Sequence, residues 1–248
     1  RNWAKMKGSS TSSGPTGVMA LVKLAQQLSA VEKEGIPGRA IGMDLEKVIK
    51  EYGCAIAHTR GVGTVPCGII YLCEGILSHA DECQELFRTA GVSGEIDLII
   101  RALNVGNFDI VDLSQMSVHS AATVLKKFFS ELPDRLYSLK VFTELITIHE
   151  THGSGEKWEE EASSLLSSLS PSRQDLSNYI LSFFASLSET KPLVTIQKLS
   201  ITFAPHMFKS SSVEGVQGAS PLEMQKCMKE MTMGPHILEG LVNLKKKK

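Results

Sequence analysis

Residues 65–91 constrain the fold more than any other stretch of this chain. Pro66 marks a place where a helix can begin, because the N–H group that proline lacks would have no partner in a first turn. The apolar residues that follow recur at helical spacing: Ile69, Ile70, Leu72, Cys73, Ile76 and Leu77. This spacing predicts a helix with one broad apolar face.

The second half of that stretch, ELFRTAG, holds the first candidate functional residue. Arg88 stands between the apolar pair Leu86 and Phe87 and the small residues Ala90 and Gly91. The apolar pair predicts a hydrophobic anchor, and the glycine predicts a turn. We therefore expect Arg88 to point outward, away from the core, and hypotheses about function start from this arginine.

The same helical periodicity runs through most of the chain. It predicts further amphipathic helices at residues 18–31, 44–52, 94–103, 118–130, 134–149, 158–169, 172–187, 195–207 and 222–244. Residues 59–64 are predicted as a loop, and the alternation typical of strands is nearly absent. We therefore predict an all-α fold, with a single compact multi-helix domain at residues 41–244. A flexible segment at 1–16, a helical extension at 17–40 and a basic tail at 245–248 complete the predicted organisation.

Composition argues against several classes of protein. The net charge of −1 lacks the global basicity that would point to nucleic acid. No apolar run reaches the length of a membrane span, and no signal peptide opens the chain. The five cysteines are odd in number and form no CxxC pair, so we expect reduced, buried thiols in a cytoplasmic protein. The first residue is not methionine and the chain ends in KKKK, which suggests an excised piece of something longer.

Three other motifs have simpler interpretations than chemistry. His149 and His152 lie one residue short of the HExxH spacing and lack a third ligand nearby, so they favour a surface helix end over a metal site. Residues 61–64 (GVGT) lack the preceding strand and the lysine of a phosphate-binding loop and favour a plain turn. The lysines at 245–248 favour a solvated tail, with weak contact to anionic lipid as the alternative.

Four sequence blocks in a fixed order resemble the Rho-family GTPase-activating (RhoGAP) domain over residues 41–208. The first is a glycine-hydrophobic pair before a short helix, IGMDL at 41–45. The second joins a valine-proline helix start to a loop with the pattern G[IL]FR-x-[SA]-G, here ELFRTAG at 85–91. The third is VHSAATVLKKFFSELPDRL at 118–136, and the fourth is the helix end FAPH at 203–206.

The resemblance implies a helical domain that binds a small GTPase of the Rho, Rac or Cdc42 type and stimulates its GTP hydrolysis. Arg88 would be the arginine finger that enters the partner's nucleotide pocket. GTP, Mg²⁺ and a water-orienting glutamine would belong to the partner, so no cofactor is expected on this chain. Lys126 would brace the finger loop and help to hold the partner's switch region. The other partner-facing positions are Ser130, Pro133, Lys198 and His206.

Several of these positions depart from the family pattern. The family usually has arginine at position 130, asparagine at 198 and 206, and proline at 135, where this chain has Ser130, Lys198, His206 and Arg135. The finger is retained while its surroundings are altered, so two functions stay open. The chain is either an active GTPase activator or a RhoGAP-like module that binds a GTPase or another protein with little catalysis. Because positions 130 and 198 together keep the same number of positive charges, we expect Lys198 to supply part of the missing arginine's attraction for the partner.

Overall fold

Helices dominate the described part of the chain, which comprises residues 18–33, 40–58, 61–80, 83, 85–211 and 220–247 of a computed structural model. In order, the elements are α1 (Val18–Lys33), α2 (Leu45–Tyr52), β1 (Gly53–His58), β2 (Gly61–Pro66), α3 (Cys67–His79), α4 (Ser93–Val105), 3-10 turns at Phe108–Ile110 and Leu113–Gln115, α5 (Val118–Glu131), α6 (Leu139–His152), α7 (Glu156–Ser167), α8 (Pro171–Thr190), α9 (Ile196–Met207) and α10 (Pro221–Lys246). This architecture confirms the all-α prediction. The predicted flexible segment at 1–16 lies outside the described residues.

Side-chain caps begin several helices close to the predicted positions. Asp44 Oδ1 accepts a hydrogen bond from the Glu46 N–H at 3.1 Å and caps α2. Ser117 Oγ caps α5 and Thr195 Oγ1 caps α9 in the same way. The cap residues and the apolar periodicity therefore place the helices that surround the candidate site.

Helix α6 begins later than the predicted residue 134. Its cap is Ser138, whose Oγ accepts from the Val141 N–H at 3.4 Å. The preceding segment is held in a bridge to the end of α9, where the Tyr137 N–H donates to the Met207 carbonyl at 3.0 Å. A backbone donor used in this bridge is not available for a helix, so the predicted start was wrong.

A two-stranded hairpin replaces part of the predicted loop at 59–64. Strands β1 and β2 pair antiparallel in a register that places Gly53 opposite Pro66. The Thr64 N–H donates to Asp175 Oδ2 at 2.8 Å, and this bond fixes the hairpin to α8. Six residues with two glycines in β2 are too short and too weak in β-propensity to show a strand pattern in the sequence.

A disulfide joins Cys54 of β1 to Cys67 at the start of α3, with 5.1 Å between their Cα atoms. The expectation of reduced thiols was therefore wrong for this pair. The two cysteines are 13 residues apart in sequence, and only the turn back through the hairpin brings them together. Cys73 is a free, fully buried thiol, and burial raises its pKa well above the ordinary value.

Helix α5 lies at the centre of the domain, where it packs against α3, α4 and α9. Phe128 and Phe129 on this helix are both buried in the core. Phe203 of α9 packs against Phe184 of α8 with 4.6 Å between ring centroids. The helices that carry the candidate site are thus parts of one core.

Residues 245–247 of the predicted basic tail are joined to the body of the domain. Helix α10 continues to Lys246, and Lys245 Nζ donates to Asn178 Oδ1 at 2.6 Å. Lys247 Nζ forms an ion pair with Glu159 at 2.5 Å. Among the described residues, no helix combines the length and the apolar character needed to cross a membrane.

Candidate functional site

Arg88 lies in a turn at residues 85–88 whose backbone is closed by its own hydrogen bonds. The Arg88 N–H donates to the Glu85 carbonyl at 2.9 Å, and the Thr89 N–H donates to the same oxygen at 3.1 Å. Leu86 and Phe87 are buried, as the sequence predicted, while the Arg88 side chain is 67% exposed. The turn thus presents a guanidinium to solvent from an anchored backbone.

An aromatic contact supplies the anchor of this turn. The Phe87 ring meets the Phe203 ring edge-on, with 4.9 Å between centroids. Phe87 adopts a φ of +70°, a left-handed conformation that a residue with a Cβ avoids unless its surroundings enforce it. Because Phe203 is fully buried in the core, the position of the turn is coupled to the core itself.

Three side chains on one face of α5 hold the backbone that carries Arg88. Lys126 Nζ donates to the Phe87 carbonyl at 2.5 Å, Thr123 Oγ1 accepts from the Gly91 N–H at 3.2 Å, and Ser120 Oγ accepts from the Val92 N–H at 3.0 Å. We call Ser120, Thr123 and Lys126 the α5 clamp. Their spacing of three residues keeps them on one face of the helix. Burial lowers the pKa of the Lys126 ammonium.

A buried carboxylate fixes the first member of the α5 clamp. Glu95 Oε2 accepts hydrogen bonds from Ser120 Oγ at 2.6 Å and from the Ser117 N–H at 2.9 Å. Gly91 approaches the helix so closely that a Cβ there would lie 2.4 Å from the Ser120 Cα. Only glycine fits this contact. The sequence offered no signal for Glu95, because hydrogen-bonded pairs 22 and 25 residues apart follow no period.

Two of the predicted partner-facing residues contact each other. Ser130 Oγ lies 2.5 Å from His206 Nδ1, a hydrogen bond between α5 and α9. The pKa of His206 is lowered by burial and, to a smaller extent, by the positive charges of Lys126 and Arg135. A neutral imidazole and a hydroxyl therefore meet at this point, one helical turn from Lys126 along α5.

Lys198 and Pro133 lie apart from that contact. Lys198 Nζ donates to the Leu193 carbonyl at 3.2 Å, and the side chain is exposed. Eight residues separate Lys198 from His206 on α9, which is about 12 Å along a helix axis. Ser130 thus has His206 and not Lys198 as its partner. Pro133 is exposed just beyond α5, and its carbonyl accepts from Lys209 Nζ at 2.9 Å.

Arg135 marks a local change in the turn after α5. Its φ is +53°, whereas a proline ring holds φ near −65°, so this turn has a conformation that the family's proline could not adopt. The Arg135 carbonyl accepts from Arg173 Nη1 at 2.5 Å, which ties the turn to α8. Arg135 therefore adds a positive charge beside the contact between Ser130 and His206.

The HETH residues have partners of their own. The His149 ring packs edge-on against Trp158, and His152 Nε2 lies 3.0 Å from Glu161 Oε1. Within the described ranges, no three His, Cys, Asp or Glu side chains gather as a metal site would require. The Arg88 site presents a positioned, exposed guanidinium that lies beside the Glu85 carboxylate, with Lys126 bound to the same turn.

Comparison with known proteins identifies sequence relatives. The Rho GTPase-activating protein gacY of Dictyostelium discoideum is 29% identical over 145 residues, which are 57% of this chain and 19% of that protein. The GTPase-activating protein rrc-1 of Caenorhabditis elegans is 21% identical over 127 residues, 50% of this chain and 17% of the relative. The chain thus spans less than a fifth of the length of these curated relatives.

Solved structures share the fold. Human Rho GTPase activating protein 15 superposes with a TM-score of 0.66 at 20% identity, over 87% of this chain and 95% of that one. The BH domain from GRAF, the GTPase regulator associated with focal adhesion kinase, gives a TM-score of 0.58 at 14% identity, over 73% and 93% of the two chains. The family model of the RhoGAP domain matches residues 66–212, which include Arg88, the α5 clamp and α9. Because this match covers more than half of the sequence, the chain belongs to the RhoGAP domain family.

Proposed function

We propose that this domain binds a GTP-loaded small GTPase of the Rho, Rac or Cdc42 type and stimulates GTP hydrolysis with Arg88 as an arginine finger. Membership of the RhoGAP family implies GTPase activation toward Rho-family proteins. One observation supports the assignment to Arg88: its guanidinium is exposed on a turn that is held by Phe203 and by the α5 clamp. The proposed partner is cytoplasmic, and we propose the same location for this domain.

The proposed role follows from the chemistry of the guanidinium. It is planar, permanently charged and able to donate to two oxygens at once, which suits the charge that develops between the β- and γ-phosphates as the bond breaks. The partner holds GTP and Mg²⁺ and orients the attacking water. This chain supplies the arginine, a rigid backbone behind it and a surface that docks it.

The other site residues support docking in this proposal. Lys126 braces the turn at the Phe87 carbonyl and also faces the partner's switch region. Lys198 adds an exposed positive charge that attracts the partner at a distance. The remaining residues that we propose to face the partner are Ser130, Pro133 and His206.

A second candidate function is a binding module with little catalysis. The observation that favours it is the neutral pair of Ser130 and His206, which stands where the family pattern provides an arginine. A neutral pair offers the partner less charge and no bidentate geometry. The two functions differ in a single measurable quantity, the stimulated rate of hydrolysis.

Multiple-turnover GTP hydrolysis by a panel of Rho, Rac and Cdc42 proteins tests the proposal. Arg88→Ala should remove the stimulation, a loss of roughly 10³-fold or more, while binding of GTP-loaded partner and thermal unfolding stay as in the wild type. Arg88→Lys should also fail, because an ammonium lacks the planar fork. Stimulation that survives in the alanine variant would exclude Arg88 from the mechanism. A wild-type domain that binds the GTPase without stimulating it would establish the binding module instead.

A further inference from the structure

The Glu85 carboxylate forms an ion pair with Arg88, the residue whose guanidinium contacts the partner's nucleotide in the proposed function. Glu85 Oε2 lies 2.8 Å from Arg88 Nη1. The backbone hydrogen bond from the Arg88 N–H to the Glu85 carbonyl closes the same turn and keeps the two side chains adjacent. Both side chains are substantially exposed, 46% for Glu85 and 67% for Arg88. In the free domain, the arginine is therefore already in contact with an anion.

A glutamate is unexpected at position 85 because the backbone there has a positive φ. Its φ is +58°, in the left-handed region that glycine adopts freely and that a Cβ disfavours. The G[IL]FR pattern places a glycine at this position. Since the Glu85 side chain is too exposed to be a core residue, packing does not explain it. The contact that the carboxylate does make is the ion pair with Arg88.

We infer that Glu85 is a positioning residue that holds the Arg88 guanidinium on its own loop in the free domain and releases it when the guanidinium moves to the phosphates of a bound nucleotide. The inference rests on the proposed function. Carboxylate and phosphate oxygens compete for the N–H donors of the guanidinium, so the contact at Arg88 Nη1 opposes transfer of the arginine to the phosphates. An exposed ion pair is weak, and Glu85 therefore lowers the rate without abolishing it.

The sign of the effect follows from the charges. After release, the carboxylate stays three residues from the finger and carries the same sign of charge as the phosphates. The ion pair in the free state and this repulsion in the docked state both oppose docking. Removing the carboxylate charge should therefore accelerate the reaction, and the gain should shrink as salt screens these exposed charges.

Glu85→Gln tests this inference because it removes the charge and keeps the size of the side chain. We expect kcat/KM for stimulated hydrolysis to rise two- to fivefold, which corresponds to about 0.4–1 kcal/mol. Glu85→Gly should give at least the same gain, with a Tm no lower than that of the wild type, because glycine adopts the observed φ freely. The matched control is Glu150→Gln, which breaks an exposed ion pair of similar length between Glu150 and Lys229, 2.7 Å long with Glu150 47% exposed. This control should leave the rate unchanged.

Repeating Glu85→Gln in a chain that also carries Arg88→Ala distinguishes an effect that acts through Arg88 from a general effect of charge. In an Arg88→Ala variant, Glu85→Gln should lose most of its gain, because only the weaker repulsion between the carboxylate and the phosphates remains. A Glu85→Gln rate equal to or below that of the wild type would overturn the inference, since the carboxylate would then orient the finger or be inert. If the wild type stimulates no GTPase, the proposed function fails while the ion pair is still testable. Phenylglyoxal should then label Arg88 faster in Glu85→Gln than in the wild type, and equal rates would overturn the inference.

Discussion

Ser130 and His206 occupy two positions where the family pattern has arginine and asparagine, and in the folded chain they contact each other. The 2.5 Å hydrogen bond makes the two departures a single unit. The unit is neutral, and the positive charges of Lys126 and Arg135 act on the imidazole. A protonated His206 would place a third positive charge there and could no longer accept through Nδ1. Replacement of either residue alone therefore disturbs the other.

His206 should make stability depend on pH below neutrality. Burial and the two neighbouring charges lower its pKa from the ordinary 6.5, so as the pH falls the unfolded chain binds the proton first. The stability that the neutral form provides is complete above about pH 6.5 and is lost as the pH falls toward the lowered pKa. Urea unfolding at several pH values should show the wild type losing stability relative to His206→Asn below pH 6.5, with a constant difference above pH 7.

An exposed histidine provides the control for that experiment. His236 on α10 is exposed, and His236→Asn should follow the pH dependence of the wild type. If His206→Asn also shows the wild-type pH dependence, His206 does not titrate differently in the folded and unfolded chains. The neutral pair of Ser130 and His206 would then have to be abandoned as the cause of the loss of stability below pH 6.5.

Helix α5 links the core to the candidate site. Its inner side buries Phe128 and Phe129, while the α5 clamp binds both flanks of the Arg88 turn. A helix fixed by its core contacts transmits its own rigidity to the loop that it clamps. The position of the guanidinium is therefore a property of the element and not of the loop alone.

Thr123→Val should separate positioning from binding. Valine keeps the shape of the side chain and removes the acceptor for the Gly91 N–H, a hydrogen bond with a net contribution of about 0.5–1.5 kcal/mol. We expect kcat of stimulated hydrolysis to fall about two- to tenfold while KM for the GTPase stays constant. Thr147→Val is the control, because Thr147 is exposed and donates only locally, to the Thr143 carbonyl at 3.0 Å. A raised KM with unchanged kcat would mean that Thr123 touches the partner and does not position the loop.

Apolar periodicity predicted most of the helices, because burial of one face repeats with the helical turn. Lys126 was predicted only through the family resemblance, since a lysine on a helix carries no signal of its own. The bonds from Glu95 to Ser120 and from Cys54 to Cys67 join residues that no period relates. Such contacts depend on tertiary placement, and the sequence does not display them. The left-handed Glu85 belongs to the same class, because its conformation follows from the closed turn.

The hairpin connects parts of the molecule that are distant along the chain. Its disulfide joins β1 to the start of α3, and the bond from Thr64 to Asp175 joins β2 to α8. The Arg88 turn takes its support from α5 and Phe203 instead. The hairpin thus contributes to the stability of the whole domain, and the site can keep its geometry without the disulfide.

Reduction should lower stability without lowering activity. A link between residues 13 apart restricts the unfolded chain by roughly 3 kcal/mol, and at about 2–4 °C per kcal/mol for a domain of this size the Tm should fall by about 6–12 °C with dithiothreitol. Stimulated hydrolysis at 25 °C should stay within twofold of the oxidised rate.

Two further measurements test the disulfide: the stability of a variant that lacks both bridging cysteines, and a titration of free thiols in the wild type. A Cys54→Ser, Cys67→Ser variant should show the lower Tm with or without dithiothreitol. Thiol titration of the denatured, unreduced wild type should give three thiols per chain, for Cys73, Cys83 and Cys227. Five thiols together with a Tm indifferent to dithiothreitol would show that the bridge does not form. If stimulated hydrolysis fell together with the Tm, the hairpin would support the Arg88 turn through the core. The inference that the site keeps its geometry without the disulfide would then be wrong.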